Sequence, residues 1–194
     1  MISAWPGLVS GPPEALIEDS LVLLDHLGEA RTVVDVGSGG GLPGLPLKLA
    51  RSQLTMTLVE ADKDKAAFLV SACARLGLSD VEVVASRAEE AGRDGRYREA
   101  FDAAVARALA PMPVLAELCL PFVRVGGRLL AQKTAGEDVA PATQAIELLG
   151  GKVDGIFPAP SALRRDGTVV VVSKVAPTPE AYPRRPGTPA RKPL

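Results

Sequence analysis

Val33-Val34-Asp35-Val36-Gly37-Ser38-Gly39-Gly40-Gly41-Leu42-Pro43-Gly44 is the stretch on which the fold turns. A β-branched run, Thr32 to Val36, closes on a glycine cluster, and an apolar segment from Pro43 to Ala50 follows with helical character. Proline is tolerated in the first turn of such a helix. Glycines after a strand let the chain turn sharply and let a ligand approach the backbone. The helix beyond them offers N–H groups that lack intrahelical partners.

The same alternation continues outward. Leu54–Val59 reads as a second strand ending at Glu60, and Asp64–Leu76 as a helix with Phe68, Leu69, Ala72, Cys73 and Leu76 inward, stopped by Gly77. Further strands are expected at Val81–Ala85, Phe101–Ala106, Gly127–Gln132, Lys152–Phe157 and Thr168–Lys174. Helices are expected at Arg87–Ala91, Val114–Phe122 and 138–149. Upstream, residues 14–27 place Leu16, Ile17, Leu21, Leu24 and Leu27 on one helical stripe. Strands alternating with helices call for an α/β fold: a mostly parallel seven-stranded sheet with helices on both faces. The last two strands, following each other directly, suggest an antiparallel pair at one edge. Three parts are expected: a short N-terminal segment (1–13), one domain (14–175) and a proline-rich basic tail (176–194).

Composition narrows the chemistry. The chain has 194 residues, 47% hydrophobic and 23% charged, which is ordinary for a single globular domain. Two cysteines among aliphatic residues build neither a disulfide framework nor a zinc cluster, so no metal is expected and a reducing cytoplasmic setting is. The apolar runs fall short of the roughly 20 residues of a membrane helix. A monomer is expected. The single histidine, His26, reads as a helix-end residue, which leaves no histidine-based triad. The net charge of −1 conceals an asymmetry. Residues 1–86 carry 6 Lys+Arg against 11 Asp+Glu, and residues 87–194 carry 16 against 12. Arg87, Arg93, Arg96, Arg98 and Arg107 cluster early in that basic half, and arginines suit phosphates. Six of the last 18 residues are prolines, so residues 177–194 are expected to be extended and poorly packed.

Two ligand classes use a glycine turn of this kind. Gly39, Gly41 and Gly44 satisfy the G-x-G-x-x-G spacing of a dinucleotide site, which an NAD-dependent oxidoreductase would need. S-adenosylmethionine carries a cationic amino group and a sulfonium instead of a pyrophosphate, and Asp35 supplies a carboxylate two residues before Gly37. Glu60 ends the second strand, where a carboxylate can take both ribose hydroxyls. Ala88 and Glu89 follow the third strand on the adenine side, and Arg107 ends the fourth beside the transferable methyl group. Asp35 and the charge asymmetry favour the methyl donor. Strand four lacks the Asn/Asp-Pro-Pro-aromatic grip of many amine methyltransferases, and neither cysteine has the setting of an attacking thiolate. A purine ring nitrogen with a free lone pair, such as guanine N7, needs neither; alignment would supply most of the acceleration.

Val34–Leu47 resembles the signature of the glucose-inhibited division protein B family, the 16S rRNA guanine-N7 methyltransferases. The Pro-Gly after the glycines is its distinguishing mark. Residues 86–90 (Ser-Arg-Ala-Glu-Glu), 106–110 (Ala-Arg-Ala-Leu-Ala), 120–133 and 168–174 extend the similarity over roughly residues 14–175. The resemblance implies a class I, Rossmann-like methyltransferase fold. It also implies methyl transfer from S-adenosylmethionine to one guanosine in the decoding-region loop of 16S rRNA, with the RNA or small ribosomal subunit as partner. It places Gly37 and Leu42 in the donor loop, beside Gly39 as a further donor candidate, Glu60, Ala61 and Asp62 near the ribose, Ala88 and Glu89 at the adenine, and Arg107 in the pocket. No catalytic residue is implied; Arg107 is a candidate pocket residue. Arg87 and Lys133 match basic positions facing RNA, and Arg165, Arg184 and Arg185 join them as phosphate candidates. Three departures stand out. About 13 residues precede the first helix where the family has a longer helical region, which leaves a catalytically weak RNA-binding or donor-binding module as an alternative. Leu16 stands where the family has histidine, though Asp19-Ser20 follow as expected. Gly167-Thr168 replace an Arg-His pair, with Arg164 or Arg165 as stand-ins.

Overall fold

Strand and helix alternate as the hydrophobic pattern requires. A computed structural model describes residues 11–134, 136 and 139–194. The N-terminal segment expected at 1–13 therefore lies largely outside the described residues, as does the start of the helix expected at 138. The strands are β1 (Thr32–Val36), β2 (Thr55–Glu60), β3 (Val81–Ala85), β4 (Phe101–Arg107), β5 (Val123–Thr134), β6 (Gly151–Pro158) and β7 (Gly167–Lys174). They form one sheet in the order β3-β2-β1-β4-β5-β7-β6. β1 to β5 pair in parallel, and β7 runs antiparallel to both β5 and β6. The helices are α1 (Pro13–Leu21), α2 (Leu24–Leu27), α3 (Gly44–Ala50), α4 (Lys63–Arg75), α5 (Ala88–Ala91), α6 (Met112–Cys119), α7 (Thr143–Leu148) and α8 (Thr188–Arg191).

Alternate residues of the central strands enter two separate cores. Val34, Val36, Ala104, Ala106, Val170 and Val172 face a core shared with α6 and α7. Val33, Ala103, Val105, Val169 and Val171 face another, shared with α3 and α4. Side chains alternate faces along a strand, so burial on both sides explains the run of consecutive valines.

Three expectations about packing need correction. The stripe over residues 14–27 breaks after Leu21, and Leu23 beyond it is fully buried; Ile17, within α1, is 43% exposed at an apolar groove. Leu76, one residue past the end of α4, is also exposed. The tail beyond residue 176 is packed rather than loose. Its prolines lack N–H groups but keep their carbonyls, and two arginines supply the donors. Arg93 Nε donates to the Pro183 carbonyl at 2.7 Å, and Arg98 reaches those of Tyr182 and Thr178 at 2.8 and 2.7 Å. Arg184 forms a forked pair with the fully buried Glu117 on α6, with Nε–Oε1 at 2.9 Å and Nη2–Oε2 at 2.6 Å. Arg93 and Arg98 are thus tail clamps, not members of an open basic patch. His26 lies in the last turn of α2 with its ring 5.2 Å from that of Phe157, at the helix end expected.

Candidate active site

Strand order reverses at β1, which opens a crevice over the carboxyl ends of β1 and β4. The glycine loop floors it. Gly37 has φ +74° and Gly39 φ +52°, conformations that L side chains rarely adopt. A Cβ on Gly37 would stand 2.5 Å from Leu109 Cδ1, whereas one on Gly39 would meet nothing closer than the Gly37 carbonyl oxygen at 4.0 Å. Bare backbone at Gly39 is a surface on which a ligand can lie. The loop is held from β2: Gly37 and Ser38 N–H donate to the Val59 carbonyl at 2.9 and 3.1 Å. Glu60 Oε2 accepts from Gly39 N–H at 2.8 Å, and Oε1 from Asp62 N–H at 2.8 Å. Each oxygen of that carboxylate keeps further acceptor capacity for a hydroxyl.

Asp35 sits beneath the loop, fully buried. Its Oδ2 accepts from Gly44 N–H at 2.9 Å, while its Oδ1 has no hydrogen-bond partner. Burial pushes its carboxyl up to about 7, against the Gly44 hydrogen bond and the nearby Arg107 charge. The arrangement also decides between the two ligand classes. The first N–H group of α3, which a pyrophosphate would need, is already held by Asp35, and a Cβ on Gly44 would collide with Leu58 and Asp35. A dinucleotide phosphate is therefore excluded from the helix start, and an unpaired buried carboxylate oxygen fits a ligand that brings a cation.

Beyond the crevice, over the ends of β4 and β5, lies a cavity of about 740 Å³ lined by Arg107, Leu109, Met112, Gln132, Lys133 and Arg164 among others. Leu109 both lines it and covers Gly37, so cradle and cavity adjoin. The cavity wall is tied to α1 by one residue. Asp19 is fully buried; its Oδ2 accepts from Arg107 Nη1 at 3.4 Å, and its Oδ1 from Arg164 Nε at 2.8 Å and Ser161 Oγ at 2.7 Å. Gln132, register partner of Arg107, donates from Nε2 to the Asp19 carbonyl. Its Oε1 has no partner, nor has Arg164 Nη2.

These features together point to a methyltransferase crevice, and the comparisons agree. The family described as rRNA small subunit methyltransferase G matches residues 13–157. The chain belongs to the rRNA small subunit methyltransferase G family. Among its relatives, the ribosomal RNA small subunit methyltransferase G of Roseiflexus sp. (strain RS-1) is 48% identical over 179 residues, covering 91% of this chain and 76% of the relative. The protein of that name from Moorella thermoacetica is 46% identical over 181 residues, with 91% and 75% covered. Similar solved structures show the fold. They include a SAM-dependent methyltransferase from Aquifex aeolicus, with TM-score 0.64, 16% identity, and 84% of this chain and 94% of that one covered. Another is a mutant of MtNAS in complex with S-adenosylmethionine, with TM-score 0.60, 24% identity, and 81% and 62% covered.

Within this family member the remaining candidates separate. Leu42 is buried and lines, with Leu45 and Ile17, an apolar groove that also takes in Gly40 and Gly41 of the loop. Asp62 caps α4, its Oδ1 accepting from Asp64 and Lys65 N–H at 2.9 and 3.2 Å, and Ala61 is exposed. Glu89 is buried and its Oε1 accepts from Gly187 N–H of the tail at 2.8 Å, while the Ala88 carbonyl accepts from Gly92 N–H at 2.8 Å. Lys133 is not on an open RNA face: it is buried, and its Nζ holds the Ala110 carbonyl. Arg184 is committed to Glu117 and is likewise unavailable to phosphates. Arg87, Arg165 and Arg185 are exposed. Sequence reasoning missed Gln132, Ser161 and the joint role of Asp19. Arg164 was one of two stand-ins, and the structure sets it rather than Arg165 at the cavity. The Asp19-Ser20 match carried the available signal.

Proposed function

We propose that this protein transfers the methyl group of S-adenosylmethionine to N7 of a guanosine in the decoding-region loop of small-subunit ribosomal RNA. The carrying observation is the continuity of the glycine cradle with the cavity through Leu109. Bound in the cradle, S-adenosylmethionine supplies an electrophilic methyl group on a cationic sulfur. In this reading the bare Gly39 backbone supports its amino-acid portion and Asp35 is the counter-charge for its ammonium group. Glu60 receives the ribose hydroxyls, and the Ala88–Glu89 backbone lies along the adenine. The cavity holds the target base with N7 turned toward the cradle.

The lone pair of N7 needs no deprotonation, so the protein's contribution is orientation and exclusion of water. The thiols fit that division of labour. Cys119 is fully buried and its thiol is pushed far up by burial, with the Asp35 charge adding to it; it does not form an attacking thiolate. Cys73 is buried in the opposite core and raised for the same reason. The test is incubation with labelled donor and small subunits lacking the modification, followed by mapping of the label. Label at N7 of one guanosine is expected; label on an exocyclic amine or a ribose would overturn the assignment.

A further inference from the structure

The segment against which the adenine is placed hangs from the edge of the sheet. β3 pairs with β2 alone, and α5 after it is four residues long. A helix that short has no stability of its own, so its position is set by what holds it. Ala91 supplies one anchor, in the core shared with α6. The polar anchors come from the tail, 84 to 98 positions away in sequence. Arg93, just past α5, donates from Nε to the Pro183 carbonyl at 2.7 Å and from Nη2 to that of Ala181 at 2.9 Å. Arg98 Nη1 bridges the Gly92 and Tyr182 carbonyls, at 3.2 and 2.8 Å. On α5 itself Glu89, 7% exposed, accepts on Oε1 from Gly187 N–H at 2.8 Å.

The tail is shaped to make that last bond. Thr188 N–H closes on the Arg185 carbonyl at 3.0 Å, and Gly187 takes φ +74° and ψ −6°. With Pro186 before it, this is a type II turn, in which the N–H of the third residue takes no part in the turn's own hydrogen bond. That spare N–H is the one Glu89 receives. Nothing stands within 4 Å of a Cβ placed on Gly187, so glycine serves conformation there and not space. We infer that Gly187 is a positioning residue for the donor site: by holding Glu89 it fixes α5, so that residues 187–194 and the donor bind with positive coupling. This rests on the proposed function for the place of the adenine, but its test does not depend on turnover.

The experiment measures S-adenosylhomocysteine binding by calorimetry to the full chain and to one ending at Pro186, which keeps the tail residues bonded to Arg93, Arg98 and Glu117. The shorter chain should bind about tenfold more weakly, the loss of one hydrogen bond to a carboxylate. In a Glu89→Ala background the same truncation should cost nothing further, because its effect runs through that carboxylate. Linkage requires the reverse effect in the intact protein, which decides the matter should the shorter chain fail to fold: saturating S-adenosylhomocysteine should slow hydrogen exchange of the Gly187 amide about tenfold. A tail that merely stabilises the fold would lower the urea midpoint and leave affinity and Gly187 exchange unmoved. Unchanged affinity in the shorter chain, an equal loss in both backgrounds, or Gly187 exchange indifferent to the ligand overturns the inference, while binding by the full chain upholds the donor reading. A full chain that binds no ligand at millimolar concentration overturns both.

Discussion

Two arginine clusters that look alike in the sequence behave in opposite ways in the fold. Around the tail, Arg93, Arg98 and Arg184 direct their donors at backbone carbonyls and at the Glu117 carboxylate. Around Asp19, Arg107 and Arg164 share one carboxylate, and Arg164 Nη2 and Gln132 Oε1 remain unpaired. Completeness of hydrogen bonding, rather than charge, separates cations that hold the chain from cations that face a ligand.

The sharpest way to break this contrast is Asp19→Ala. It leaves two guanidinium groups without their shared counter-charge and should cost about 3–5 kcal/mol of stability. Methyl transfer should fall more than roughly a hundredfold, because a cavity wall displaced by an ångström loses alignment. Urea denaturation and labelled transfer measure the two effects; loss of neither would mean the cluster is no network. On the tail, Arg184→Ala strands the buried Glu117 carboxylate and should cost about 3 kcal/mol. Here transfer at saturating donor should stay within about twofold of wild type, and a large drop in it would erase the distinction between the regions.

The next effect is a pH dependence confined to the cradle. Asp35 is raised to about 7 in the folded protein from a usual 3.8. Between those values the native state binds more protons than the unfolded chain, so this group's contribution to stability falls as pH rises through that window. A cationic ligand favours the carboxylate, so donor affinity should increase about tenfold from pH 6 to pH 8 by calorimetry. Asp35→Asn should weaken binding and flatten that profile, and an unchanged slope in the variant would assign the titration elsewhere. The smallest effect belongs to the exposed arginines. Arg185→Ala should reduce the salt slope of RNA binding by under one unit and leave stability unchanged.

The central strands were legible because both faces are covered. The valines of β1 and β7 and the glycines after β1 have few alternatives in a sheet buried on both faces. Asp35, Glu60 and Arg107 were legible as residues because Glu60 and Arg107 end strands beside the switch point and Asp35 stands one residue before the end of β1. Their partners were not. Gln132 and Asp19 are 113 positions apart, and no local period announces a hydrogen bond between strand β5 and the first helix. The tail misled for a physical reason. Proline-rich sequence lacks donors and reads as unstructured, yet Arg93 and Arg98, some 80–90 positions away, supply what it lacks. Leu23 is buried beyond a helix break after Leu21, which a smooth helical period does not anticipate, while Ile17 ahead of the break lines an apolar groove.

That the bare loop and the basic hollow form one working crevice is tested most directly by a crystal structure of the protein soaked with S-adenosylhomocysteine. The amino-acid portion is predicted over Gly37 and Gly39 with its ammonium group toward Asp35 Oδ1, the ribose against Glu60, the sulfur facing Arg107 and Gln132, and Leu109 swung aside. Density in the apolar groove beside Leu42 and Ile17, or no density at millimolar ligand, would contradict it.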